Sequence, residues 1–291
     1  IDIVSDVATV YGYIGFKLGK WDNALGEVVV DPNKKMSDVN LRRAIAYAMD
    51  NDQIAEVFYN NLRITANTLI DPSHGKFWNN QAPGYKYDPE KAKQILDEAG
   101  YKDVDGDGMR EKPDGSKLQI NFLAMSGGDI AEPLSQFYIQ CWRDVGLDVG
   151  LQNGRLIEMN AFYDMVEEDN EDIDIYMGAW QTGSNPDPSG FYGRNSMFNY
   201  SRFASDKNDE LLAAIASEDA IGEDGIDYDY LVKAYHDWQD NMVEQAPVVP
   251  THYRVTLGVV NKRVSYYDLG LVTDWRWEKV GLLADKPELA K

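Results

Sequence analysis

The sequence predicts an α/β fold: a mixed, mainly parallel sheet flanked by helices. Three observations carry this. Between Lys117 and Trp180 the hydrophobic pattern switches strand, helix, strand, helix, strand, an order that implies a parallel sheet with right-handed crossovers. A helix with complete start and stop signals lies just upstream. Finally, 291 residues at 44% hydrophobic and 12% aromatic suffice to bury a sizeable core.

In chain order, residues 8–18 alternate bulky and small side chains, as a strand does. In "SDVNLRRAIAYAMD", Leu41, Ala44, Ile45 and Ala48 fall on one helix face, with Ser37 or Asp38 as the cap. "DQIAEVFYN" continues as a second short helix. In "YDPEKAKQILDEAG", Asp88 stands at the N-cap, Pro89 at the first helical position and Gly100 beyond the end. "KLQINFLA" alternates as a strand, "EPLSQFYIQCWRDVG" has helical spacing and "LDVGLQ" is a strand. "EMNAFYDMVEE" is a helix, and "DIDIYMGAW" a strand with Ile173, Ile175 and Met177 on one face. A loop at 181–205, rich in Gly, Asn, Pro and Ser, follows. Two helices near 207–217 and 227–245 precede "APVVPTHYRVTLGVV", a strand or hairpin, and the tail after Tyr267 shows no clear pattern.

Composition excludes several functions. Lys and Arg number 28 against 49 Asp and Glu, a net charge of -21, and such a surface repels nucleic acid and anionic lipid. The single cysteine, Cys141, sits beside Trp142 in an apolar stretch and reads as a buried thiol, so neither a disulfide framework nor a CxxC metal site exists. No apolar run reaches the ~18 residues of a membrane span. The chain opens on a strand with no initiator Met, and its first residue is expected to be an internal point of a longer chain. His74, His236 and His252 fall in no nucleophile motif, and GxSxG, HExxH and phosphate-loop patterns are missing, so no catalytic residue is assigned. The acidic run Glu167, Glu168, Asp169, Glu171, Asp172 and Asp174 reads as solvated loop charge.

The 181–205 loop is the most informative stretch. It leaves the carboxyl end of a predicted parallel strand, where α/β sheets bind ligands. It combines the flat face of Trp180 with Phe191, Tyr192, Phe198 and Tyr200, amid Gln181, Thr182, Gly183, Ser184, Asn185 and Asn199. Either this mixture holds a polar ligand with an extended backbone, or Trp180 is core and the Gly and Pro residues only shape turns.

Four stretches in order resemble the extracellular solute-binding proteins of family 5, the oligopeptide and dipeptide type. They are "LRRAIAYAMDNDQI", "YDPEKAKQILDEAGY" with "DVDGDGMREKPDGSKL", "GAWQTGSNPDPSGFYG…FNYSRF" and "APVVPTHYRVTL". The resemblance implies a periplasmic-binding-protein-like (type II) lobe. It divides the chain into a hinge strand (1–20), a second, C-terminal ligand-binding lobe (21–250) and a return segment (251–291) that rejoins a missing N-terminal lobe. It further implies a non-catalytic receptor that captures peptides between two lobes and delivers them to an ABC transporter permease. Such a receptor works at the extracellular face of the cytoplasmic membrane as a lipoprotein, or in the periplasm. Tyr13 falls on the strand lining the family's cleft, and Trp180 matches the Trp of its loop. Where many peptide binders place an Asp three residues after that Trp, this chain has Gly183, and Asp187 reads as a turn cap. Longer peptides held through the middle, or an oligosaccharide, fit that departure.

"DVDGDG" places Asp103, Asp105 and Asp107 at positions 1, 3 and 5 of an EF-hand-like loop, with Gly108 at 6 and Glu111 at 9. Position 12 is Asp114, not Glu, and a strand follows where a sensor needs a helix. The loop therefore reads as a helix-to-strand connection in which Gly106, Gly108 and Gly115 take positive φ. The alternatives are a structural calcium ion on the three aspartates and a calcium-binding surface module. No cofactor is required.

Overall fold

A computed structural model describes residues 1–222, 225–267, 269 and 277–283. The parts of the return segment at 268, 270–276 and 284–291 lie outside the described residues. The strands are β1 (Asp2–Phe16), β2 (Gly19–Asp22), β3 (Glu27–Val30), β4 (Arg63–Thr65), β5 (Gln119–Leu123), β6 (Asp148–Leu151), β7 (Ile175–Gln181), β8 (Ile221–Gly222), β9 (Gly225–Ile226), β10 (Val248–Val260), β11 (Val264–Ser265) and β12 (Gly281–Leu282). The helices are α1 (Val39–Tyr47), α2 (Asn51–Tyr59), α3 (Pro89–Glu98), α4 (Ala131–Arg143), α5 (Met159–Glu167), α6 (Ser189–Tyr192), α7 (Asp206–Ile215) and α8 (Tyr228–Gln245).

Six strands form the main sheet in the order β4-β10-β1-β7-β5-β6. The sheet is mixed, as expected, but not mainly parallel: three of its five strand pairings are antiparallel. The parallel part is the β6-β5-β7 unit, joined through α4 and α5. Its other half is antiparallel: β1 pairs with both β7 and β10, and β10 with β4. Parallel neighbours need a crossover helix, and only the 117–181 stretch supplies them consecutively. The long strands β1 and β10, far apart in sequence, meet as an antiparallel pair instead.

The helix caps follow the sequence. Asp38, Asp50 and Asp88 accept from backbone amides at the starts of α1, α2 and α3, and Gly100 ends α3 at φ +87°. Trp142 on α4 is fully buried, lies edge-on to Phe122 of β5 at 5.2 Å between ring centroids, and donates Nε1–H to the Ile45 carbonyl at 3.1 Å. Cys141 is buried beside it, as expected. Arg42, also buried, donates to the Gln245 and Ala246 carbonyls and so closes the end of α8 just before β10.

Beyond the sheet, residues Asp2–Val7 of β1 pair only with Thr256–Val260 and Val255 of β10. The two strands thus leave the lobe as a two-stranded ribbon. Their register breaks between Val7 and Tyr11, where the ribbon departs. An irregularity of this kind bends and twists a strand pair locally.

Candidate functional site

The site begins with the β1–β7 register. Tyr11 lies opposite Trp180, Tyr13 opposite Gly178 and Gly15 opposite Tyr176, all on one face because side chains alternate along a strand. The rings of Tyr13 and Tyr176 each cover a glycine on the facing strand. A Cβ on Gly178 would come within 2.8 Å of the Tyr13 ring, and one on Gly15 within 2.3 Å of the Tyr176 ring. These two glycines are what allow large rings in successive rows.

Trp180 stands at the centre of the resulting cluster. It stacks on Phe191 at 4.4 Å, Tyr200 at 5.3 Å and Tyr13 at 6.4 Å, and meets Phe198 edge-on at 6.2 Å. Trp180 itself is only half-buried, while Phe198 is 54% exposed. Burial raises the hydroxyl pKa of Tyr13, Tyr176 and Tyr200, so these rings stay neutral. The face is apolar, with a few phenol groups for hydrogen bonding.

The structure sorts the expected ligand residues into two groups. Gln181, Gly183, Ser184 and Asn185 are exposed, as is Phe198. Tyr13, Asn199 and Tyr200 are buried. Asn199 donates to the Gly193 and Phe203 carbonyls and accepts from Ser201, so it shapes the loop from inside. Tyr200 donates its hydroxyl to Glu167 at 2.8 Å. Thr182 is half-buried and engaged with Thr9, Asp71 and His74. Asp187 caps the turn into α6, accepting from Ser189 N–H at 2.9 Å and Ser189 Oγ at 2.6 Å, which is the role expected for it.

The acidic run corrects the sequence reading. Glu168, Glu171 and Asp172 are solvated, but Asp169 and Asp174 are not. Asp169 accepts from Lys17 Nζ, from Arg202 Nε at 2.7 Å and from Trp21 N–H at 2.7 Å. Asp174 is 7% exposed and accepts from Lys35 Nζ and Asn121 N–H, both at 2.8 Å. Their cations lie far away in sequence, which is why the run reads as solvent-facing. Lys17 also donates to the carbonyls of Tyr200 and Val166, and Arg202 to those of Met197, Asn199 and Glu167. The Lys17–Asp169–Arg202 cluster therefore fastens the 181–205 loop to the ends of α5 and β1. Burial pulls the Lys17 pKa down to about 8 against the opposing pull of Asp169.

One rim residue escaped sequence reasoning. Tyr163 of α5 is 37% exposed, and it lies one turn from Glu167, the partner of Tyr200. It sits close enough to Tyr13 and Tyr200 to add, after burial, to the rise in both pKa values. The only signal was an aromatic residue off the buried Phe162–Val166 stripe.

The Asp-Gly loop lies elsewhere, between α3 and β5. Gly106, Gly108 and Gly115 all take positive φ, as predicted. Carboxylate oxygens of Asp103 and Asp105 come together with Glu111, within 4.8 Å of one another; Asp107 lies outside the group. Asp107 accepts from Met109 N–H and its other oxygen faces Lys117 at 3.7 Å. A cation here would be held by Asp103, Asp105 and Glu111. The same oxygens already have partners: Asp103 accepts from Gly106 and Gly108 N–H, and Glu111 from Val104 N–H.

The mixed α/β lobe has the fold of the type II periplasmic-binding-protein class, and solved structures of that class superpose on it. The chain belongs to the bacterial extracellular solute-binding proteins, family 5, whose middle region matches residues 1–201. That family is one of solute-binding proteins and not of enzymes. The chain is 32% identical over 278 residues to the oligopeptide-binding protein OppA of Lactococcus lactis subsp. cremoris, covering 93% of this chain and 45% of that protein. The structure of lactococcal OppA in complex with an endogenous peptide, in the closed conformation, matches with a TM-score of 0.86 at 30% identity, covering 97% of this chain and 52% of that one. The fold of AppA from Bacillus subtilis, solved with a nonapeptide, matches with a TM-score of 0.73 at 23% identity, again over 97% and 52%. The chain thus spans about half the length of the relatives it matches. Among the described residues, no helix is long and apolar enough to cross a membrane.

Proposed function

We propose that this chain is the second lobe of a substrate-binding component of an ABC importer, which captures oligopeptides between two lobes and delivers them to a permease. The observation that carries this reading is the aromatic face around Trp180, set beside the β1–β10 ribbon in a chain of this family. The exposed Gln181, Ser184 and Asn185 supply hydrogen bonds to an extended backbone, and the face of Trp180 with Phe198 takes side chains. Gly183 offers no charge to a peptide amino terminus, which favours peptides held through their middle. In this reading residues 1–20 carry the first hinge strand, 21–250 form the lobe, and 251–291 return to a first lobe. The protein works outside the cytoplasmic membrane, tethered through a lipidated amino terminus or free in a periplasm.

Titration calorimetry of the full-length protein with synthetic peptides of graded length and with oligosaccharides tests it. Binding to peptides at micromolar or lower Kd is expected. Heat from oligosaccharides with none from any peptide would overturn the peptide assignment. Because a ligand needs both walls of the cleft to bury most of its surface, this lobe alone should bind the same peptides far more weakly.

A further inference from the structure

A buried Asp–His pair lies where the ligand loop, the departing ribbon and a short 3-10 turn (Pro72–Phe77) meet. Asp71 is fully buried, and the side chain of His74 is 1% exposed. His74 Nε2 lies 3.2 Å from Thr182 Oγ1 and 3.4 Å from Asp71 Oδ2. The Thr182 hydroxyl reaches Asp71 Oδ2 and the Thr9 carbonyl, each at 3.3 Å, and Thr182 N–H donates to the same Thr9 carbonyl at 2.9 Å. Asp71 is held in turn by Ser73 through its N–H and hydroxyl. Thr182 is the first residue past β7 and opens the ligand loop. Thr9 sits within the register break of β1, where the ribbon bends away.

We propose that Asp71 and His74 are positioning residues: through the Thr182 hydroxyl they fix the start of the ligand loop to the bend of the ribbon, so that seating a peptide on the loop is felt at the hinge. The inference rests on the peptide-binding reading. Neither residue can touch ligand, because both side chains are buried. A buried carboxylate–imidazole pair stabilises a fold no better than apolar packing of the same volume, so packing alone gives little account of it. The hydroxyl has one hydrogen and two acceptors. When His74 carries its hydrogen on Nε2 it donates to Thr182 Oγ1, which leaves the hydroxyl hydrogen for Thr9 or Asp71. The three contacts of the Thr182 hydroxyl, at 3.2–3.3 Å, are long for hydrogen bonds. Because one hydroxyl meets Asp71, His74 and the Thr9 carbonyl, a shift of Thr182 alters all three contacts together, including the one at the bend.

The test uses the full-length protein and a synthetic nonapeptide, with release followed by stopped-flow fluorescence. Thr182→Val and His74→Leu should each speed release about tenfold, and the double variant should be no faster than either single one. Thr182→Ser and His74→Gln, which restore a hydroxyl and a donor near the Nε2 position, should return release to within about twofold of wild type. Variants that release at the wild-type rate, or singles whose effects multiply in the double, overturn the latch. Hydrogen exchange of the unliganded protein gives a readout independent of peptide. The amide of residue 182 should exchange about tenfold faster in Thr182→Val and in His74→Leu, and unchanged exchange overturns the inference. Should wild type bind no peptide while exchange responds as stated, the peptide-binding reading and the coupling to the hinge fail, and the fastening of residue 182 to the bend stands.

Discussion

Replacing Lys17 by Met tests the buried charge cluster through its pH dependence. Lys17 titrates near 8 in the folded chain, against its ordinary value of 10.5, because burial disfavours the ammonium more than Asp169 favours it. Between those two values the unfolded chain holds more protons than the folded one, so the wild-type contribution of Lys17 rises with pH. The penalty is at its full size below pH 8, roughly 3 kcal/mol at ~1.4 kcal/mol per unit, and fades as pH climbs toward the unfolded value. Between pH 7 and 9.5 wild type should gain about 2 kcal/mol on Lys17→Met, whose Met has no such titration. With about 2.1 cal/mol/K of unfolding entropy per residue, the 291 residues give about 0.6 kcal/mol per degree, so the Tm difference should move by about 3 °C. The absolute sign at neutral pH is a closer contest. The variant escapes the desolvation penalty but leaves the Tyr200 and Val166 carbonyls without their donor, at about 1–3 kcal/mol for each buried group left unpaired. Asp169 keeps Arg202 and Trp21 N–H in either protein. The raised tyrosine pKa values are common to both and cancel in the difference. Thermal unfolding by circular dichroism at four or five pH values reads the result. A difference that stays flat from pH 7 to 9.5 would refute the burial argument.

Trp180→Ala in the full-length protein should weaken peptide binding by about 1–3 kcal/mol and also lower Tm, since the ring is both a half-exposed face and the centre of a stack; calorimetry and melting separate the two, and an unchanged affinity with lowered Tm assigns the ring to packing. Gly178→Ala should cost about 1–3 kcal/mol, because its Cβ would displace the Tyr13 ring from 2.8 Å, and an unmoved denaturant midpoint would count against that contact. The Asp-Gly loop already pairs its carboxylates with backbone amides and Lys117, so Tm should be the same in millimolar calcium and in chelator; a rise of several degrees with calcium would establish a cation on Asp103, Asp105 and Glu111.

What was legible in the sequence was whatever is decided within a few residues. The start and stop of α3 rest on Asp88, Pro89 and Gly100, and the β5-α4-β6-α5-β7 unit on periodicities that change every ten or so residues. Partners across the chain were not legible. Alternation identifies β1 and β10 as strands, yet it carries nothing about which strand each will pair with or in which direction. The short β4 and the β2–β3 hairpin have too few residues for any period to emerge.

The loop after Trp180 shows the same limit at the level of single side chains. Its mixture of aromatic and small polar residues singles it out, but composition treats Asn199 and Ser184 alike. In the fold, Asn199 uses its amide on the Gly193 and Phe203 carbonyls, and Tyr200 uses its hydroxyl on Glu167, while Ser184 and Asn185 face solvent. A polar side chain is available to a ligand only after the backbone around it has been satisfied. That condition depends on Lys17, Asp169 and Arg202, which hold the loop from below and lie outside the 181–200 stretch that sequence reasoning selected. The loop residues that face outward and the residues that hold the loop in place are therefore different sets, and only the first carries a compositional signature.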